Sequence, residues 1–222
     1  MAEAKRLVIF GDSIAKGVMF QDGRYHLCRA HDFDALAQQG VEVLNFAKMG
    51  ACTDTGLAIA KKRLELCQDA QVLLSFGGND CDFDWQAVSD RPEEAHLPKI
   101  PAEQFLENYR ALMDLVRQTA SRVWLSSLVP LEAHRFLDHV SQGRSRENIL
   151  TWLGDTDRIF RWQEYYNDLV CKLARELSCP LLELRPEFLK HPAFPALLSM
   201  DGIHPTQKGH DVIHRCVAEA IF

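Results

Sequence analysis

Five short apolar runs punctuate the chain: 6–10 (RLVIF), 41–46 (VEVLNF), 71–76 (QVLLSF), 122–129 (RVWLSSLV) and 180–184 (PLLEL). They are rich in Val, Ile and Leu and alternate little with polar residues, which predicts strands covered on both faces, as in a parallel sheet. Between them, hydrophobic positions return every three to four residues. Over 102–120, Phe105, Leu106, Tyr109, Leu112, Met113 and Val116 share one helical face; over 159–177, Trp162, Tyr166, Leu169, Leu173 and Leu177 do the same. A last amphipathic segment, 206–221, stripes Val212, Ile213, Cys216, Val217 and Ala220, with Thr206 placed as N-cap. Further helices are predicted near 30–39 and 54–68. The alternation predicts a doubly wound α/β domain with right-handed crossovers, whose function collects where the strands end. Two excursions, 81–101 and 130–157, exceed ordinary connections and predict lid or substrate-binding elements.

Length and charge narrow this picture. The 222 residues fit one domain, 1–222, long enough to bury a core without disulfides or metals. A formal charge of -6 carries no electrostatic footprint for nucleic acid or an anionic membrane. Seven cysteines, at 28, 52, 67, 81, 171, 179 and 216, form no CxxC pair and suit reduced thiols in a cytoplasmic protein. The opening MAEAKRLVIFGDS has only four apolar residues in a row, Leu7 to Phe10, and reads as neither signal peptide nor membrane span.

The chemistry lies just past the apolar runs. Residues 8–18, VIFGDSIAKGV, resemble a phosphate loop only superficially: Lys16 precedes Gly17, Val18 stands where Ser or Thr is needed, and Asp12 would repel a polyphosphate. The first strand runs instead into Gly11-Asp12-Ser13. The second leads into NFAKMGACT with Gly50, the third ends in GGND (Gly77 to Asp80), and MDGIHP, with Asp201 three residues before His204, precedes the last helix. All four segments converge on one edge of a doubly wound sheet.

A serine hydroxyl needs a base to become a nucleophile, and His204 can serve, with Asp201 fixing its tautomer. The oxyanion formed by attack on a carbonyl needs waiting donors: the N–H groups of Ser13 and Gly50 and the amide of Asn79 are the candidates. A glycine at 50 suits close approach of the backbone to a ligand. Each feature also has a plainer reading, since Ser13 could simply cap a helix and Gly77-Gly78 could simply turn. Asp12 is assigned no chemistry, Asp80 a bracing role, and Lys16 a solvent-facing one. His210 and His214 are one helical turn apart, but without a third ligand they do not make a metal site. Phe83, Trp85 and Trp152, in the long excursions, either meet substrate or anchor the loops to the core.

Taken in chain order, FGDS, the isolated glycine of KMGACT, GGND and DGIHP resemble the four motif blocks of the SGNH hydrolases, the GDSL-like esterases and lipases. The resemblance runs from residue 11 to 205, with Ile14 where the family often has Leu. It implies a flavodoxin-like three-layer α/β/α sandwich with a five-stranded parallel sheet. It further implies Ser13 as nucleophile, His204 as base, Asp201 as its orienting acid, and Ser13, Gly50 and Asn79 as oxyanion hole, with no metal or organic cofactor. The expectation is a serine esterase acting on a small ester, of short-chain acyl type, through an acyl-enzyme. The same residues would serve an acyltransferase or thioesterase; a non-catalytic module holding a sugar or flavin is the rival from another class.

Overall fold

The computed structural model describes residues 5–29 and 33–222. The first residues of the predicted 30–39 helix, His31 among them, lie outside this set. In chain order the elements are β1 (Lys5–Gly11), β2 (Val18–Gln21), β3 (Arg24–Leu27), α1 (Asp34–Gln38), β4 (Val41–Asn45), α2 (Thr53–Arg63), β5 (Gln71–Ser75), α3 (Trp85–Asp90) and α4 (Ala102–Val116). Beyond them come β6 (Arg122–Ser126), α5 (Ala133–Val140), α6 (Arg146–Leu153), α7 (Asp157–Glu176), β7 (Leu181–Leu182), α8 (Leu184–Leu189) and α9 (Gln207–Ile221).

Five strands form one parallel sheet in the order β4-β1-β5-β6-β7. With the β2–β3 hairpin set aside, this is the 2-1-3-4-5 order of flavodoxin-like sheets. The apolar runs are continuous because both faces are covered. Val8, Phe10, Val72 and Leu74 pack against α2, α4 and α7 through Ala60, Tyr109, Leu112 and Leu173. Leu7, Ile9 and Leu73 face the other way, onto Leu36, Phe188, Ile213 and Val217 of α1, α8 and α9. Successive residues of β1 thus enter different cores, as the period-two pleat demands. No helix among the described residues is long and apolar enough to cross a membrane.

The departures from the sequence reading are local. The run at 180–184 yields only two strand residues, because Leu184 already begins α8. The helix near 54–68 ends at Arg63 and tightens into a 3₁₀ turn, Leu64–Cys67. Thr206 does cap α9, accepting from the N–H of Gly209 at 3.4 Å, but Ala220 faces solvent and Ile221 takes the buried position. The hairpin was not foreseen: Asp22 and Gly23, with φ 51° and 72°, close a two-residue turn between β2 and β3.

The two excursions fold into helices. Residues 81–101 contain α3, and 130–157 contain α5, α6 and the start of α7. They share a third core, formed by Phe83, Trp85, Val88, Phe136, Leu137 and Ile149 with their neighbours. This core stands beside the carboxyl edge of the sheet and roofs the loops gathered there.

Gly56 shows how tightly the layers meet. A Cβ there would lie 2.4 Å from the ring tip of Phe76, which is fully buried beneath α2. Gly56→Ala is therefore expected to destabilise the fold by about 1–3 kcal/mol through overpacking, outweighing the ~1 kcal/mol that alanine offers a helix. A urea unfolding midpoint below that of the wild type checks this.

Candidate active site

The polypeptide leaves β1 through Gly11, where a Cβ would come within 2.5 Å of Ala15 Cβ and 2.9 Å of the Ser75 carbonyl. Only glycine fits, and the chain turns sharply, with the Lys16 N–H donating to Asp12 O (3.0 Å) and the Val18 N–H to Ser13 O (2.9 Å). Ser13 caps no helix, since a turn and then the hairpin come after it. Its side chain instead meets a residue 191 positions later: Ser13 Oγ lies 2.8 Å from His204 Nε2.

His204 Nδ1 lies 2.6 Å from Asp201 Oδ2. A carboxylate accepts, so Nδ1 carries the proton and Nε2 keeps a lone pair facing the serine hydroxyl. The other carboxylate oxygen accepts from the backbone N–H groups of Ile203 (3.2 Å) and His204 (3.1 Å), so one aspartate fixes both the loop and the ring. Asp201 is 0 %, His204 4 % and Ser13 7 % exposed. Gly202 (φ 77°) presses that loop onto α5: its carbonyl accepts from the Glu132 N–H at 2.8 Å, and a Cβ there would lie 2.5 Å from Glu132 O. Arg135 completes the brace with Nη1 bonds to the carbonyls of Pro195 (2.8 Å) and Leu198 (3.0 Å).

Gly50 and Asn79 line the same cavity as Ser13 and His204. No protein atom would meet a Cβ at Gly50; what calls for glycine in the folded chain is its φ of 73°, rather than crowding by neighbours. The Asn79 amide is held by a 3.3 Å bond from its Nδ2 to the Ala51 carbonyl. Asp80 ties this loop to α2, its Oδ1 accepting from the Thr53 N–H (2.8 Å) and hydroxyl (2.6 Å), while Asn108 donates to that hydroxyl oxygen at 3.1 Å. The aromatics divide between two jobs. Phe83, Trp85 and Trp152 pack on one another and on Phe136 and also face the cavity, whose volume is about 250 Å³.

One neighbour was not legible beforehand. Tyr25, on the hairpin, sets its ring edge-on to His204 at 5.3 Å and is 44 % exposed. The Asp-Gly pair at 22–23, flanked by VMFQ and RYHL, was the available signal for that hairpin.

The site is rich in buried acid. Burial is the main cause that pushes the Asp12 carboxyl up to about 6; the Ile14 N–H bond (2.9 Å) and His204 oppose it, and Asp80 adds to it. Asp80 is likewise pushed up to about 6 by burial, against its Thr53 bonds. Two thiols nearby are poor rivals to the serine, since burial pushes Cys52 up to about 12 and Cys81 well above the usual thiol range.

Known proteins share this arrangement of elements. The GDSL-like Lipase/Acylhydrolase family matches residues 9–212. The chain belongs to that family. It is a carboxylic ester hydrolase of the SGNH type. Among solved structures, this SGNH hydrolase is similar to a lipase/acylhydrolase from Enterococcus faecalis, with a TM-score of 0.70 and 18% identity over 98% of this chain and 95% of that one. It also resembles a catalytic mutant of an acetylxylan esterase from Geobacillus stearothermophilus (TM-score 0.68, 19% identity, 100% and 95% covered). A third likeness is an alpha/beta hydrolase from the metagenome of Lake Arreo, Spain (TM-score 0.64, 23% identity, 98% and 95% covered). No curated protein sequence matches the chain. Fold and family thus agree with the expectation from the sequence.

Asp12 yields a test of the electrostatics. Its folded-state pKa, about 6, stands above the ordinary 3.8, so the folded chain binds more protons between those values and loses stability as pH rises through them. Asp12→Asn keeps an oxygen for the Ile14 N–H. It is expected to raise stability by about 1–3 kcal/mol above pH ~6.5 and to change it little at pH ~4. Thermal scans across that range read the difference.

Proposed function

We propose that this SGNH hydrolase is a serine esterase in which Ser13, His204 and Asp201 form the catalytic triad. The observation that carries the reading is the pair of hydrogen-bond distances on one imidazole: 2.8 Å to Ser13 Oγ and 2.6 Å to Asp201 Oδ2. His204 takes the hydroxyl proton as Ser13 attacks the ester carbonyl, and Asp201 stabilises the imidazolium that forms. The Ser13 and Gly50 N–H groups and the Asn79 amide receive the oxyanion, each donor contributing on the order of a hundred- to a thousand-fold in rate. The imidazolium then protonates the departing alcohol. Water, activated by the same imidazole, releases the acid and restores the serine. No metal or organic cofactor enters these steps.

The substrate is a small ester. Its acyl group sits in the cavity under Phe83, Trp85, Phe136 and Trp152, where bulky rings favour a short chain, and Arg158, stacked 4.7 Å from the Trp152 ring, stiffens that wall. A compact acetylated compound fits, in the same size class as the acetyl groups removed by the acetylxylan esterase that shares the fold. A cytoplasmic setting belongs to this reading: Cys52, Cys67, Cys81, Cys171, Cys179 and Cys216 form no disulfide.

Ser13→Ala is the direct test. Hydrolysis of p-nitrophenyl acetate should fall by at least about a thousandfold in kcat, with an unchanged unfolding midpoint. Activity close to that of the wild type would overturn the proposal.

A further inference from the structure

A second cluster of reactive side chains lies at the hairpin's root. The sequence offers only His210 and His214, one turn apart on α9. The fold brings Cys28 to them from just beyond β3. The sulfur and one nitrogen of each imidazole all lie within 4.8 Å of one another. Cys28 and His210 are buried and His214 is half-buried.

The hydrogen bonding of His210 points the same way. Its Nε2 lies 3.0 Å from the Val18 carbonyl. A carbonyl only accepts, so Nε2 carries the proton and Nδ1 holds the lone pair. Nδ1 is buried and has no hydrogen-bond partner. A histidine that gives one N–H to a backbone carbonyl and keeps its other nitrogen unpaired, beside a thiol and a second imidazole, has the outer-shell arrangement typical of a metal ligand.

We propose that Cys28, His210 and His214 bind a divalent transition-metal ion, Zn²⁺ foremost. One sulfur and two imidazole nitrogens form a donor set that suits zinc and excludes the oxygen-seeking Mg²⁺ and Ca²⁺. Bond lengths of about 2.3 Å to sulfur and 2.0–2.1 Å to nitrogen put tetrahedral ligand atoms ~3.3–3.6 Å apart. The cluster reaches that spacing by contracting by up to about 1.5 Å through χ rotations. Binding converts the Cys28 thiol to a thiolate, releasing one proton to solvent, while the imidazoles bind through lone pairs.

The role is structural. The Cys28 N–H closes the base of the hairpin on Gly17 O (2.8 Å), Val18 at the other strand holds His210, and Phe20 donates to Ser199 Oγ (3.3 Å) beside the His204 loop. An ion joining Cys28 to α9 staples the hairpin that carries Tyr25 against His204. The site is independent of the hydrolytic assignment, and Ser13→Ala should bind the ion as well as the wild type does.

The test is a titration of chelator-treated protein with Co²⁺, followed through the thiolate-to-cobalt charge-transfer band and the visible bands of a four-coordinate ion. Zn²⁺ is then added as competitor. Expected are one Co²⁺ per chain, displacement by Zn²⁺, and a Tm raised by ~5–10 °C at free Zn²⁺ about a hundredfold above Kd. Cys28→Ser should lose the charge-transfer band. His214→Ala, at a half-buried position, should weaken binding at least about tenfold, whereas Cys171→Ser should change nothing. No band and no Tm shift in the wild type, or a band that survives in Cys28→Ser, overturns the proposal.

Discussion

The imidazole of His204 is the point on which the structure converges. Its two nitrogens are held from opposite sides by residues that the sequence keeps far apart, Ser13 at the end of the first strand and Asp201 before the last helix. A deviation of even 1 Å in such a contact weakens proton transfer severely. The sheet fixes Ser13, α5 fixes the Asp201 loop through Gly202, Glu132 and Arg135, and the hairpin closes over the ring through Tyr25. These three supports belong to different layers, so the geometry of one ring integrates the packing of the whole molecule.

That arrangement carries an electrostatic cost. Asp12, Asp80 and Asp201 are all buried near the carboxyl edge of the sheet, and each manages its charge differently. Asp201 has the imidazole and two backbone donors. Asp80 has Thr53 on one oxygen and no partner on the other. Asp12 has backbone N–H donors, Ile14 foremost at 2.9 Å, and shares its surroundings with both Asp80 and His204. Burying carboxylates in this way costs stability at neutral pH.

How far this was legible can be judged residue by residue. The strands could be read because a strand buried on both faces has no polar alternation to confuse it: β4, β5 and β6 lie within the predicted runs, and β1 covers its run with one residue more at each end. Ser13, His204 and Asp201 could be nominated because they lie just past a strand or just before the last helix, where a doubly wound sheet gathers its loops. The hairpin escaped because VMFQDGRYHL mixes apolar and polar residues without a face; only its Asp-Gly turn gave a local signal. The helices in the two excursions escaped because they are short and their apolar residues pack on each other, not on the sheet. The approach of Cys28 to His210 and His214 is a tertiary fact, and no spacing in the sequence encodes it.

The central claim is that Ser13 is made nucleophilic by His204. A fluorophosphonate probe reacts with an activated serine hydroxyl and leaves ordinary ones alone, so peptide mapping by mass spectrometry after labelling reads the claim at the atom concerned. The account predicts one phosphonylated residue, Ser13, in the wild type and its absence in a folded His204→Ala variant. A label on any other residue, or undiminished labelling of Ser13 without His204, would contradict it.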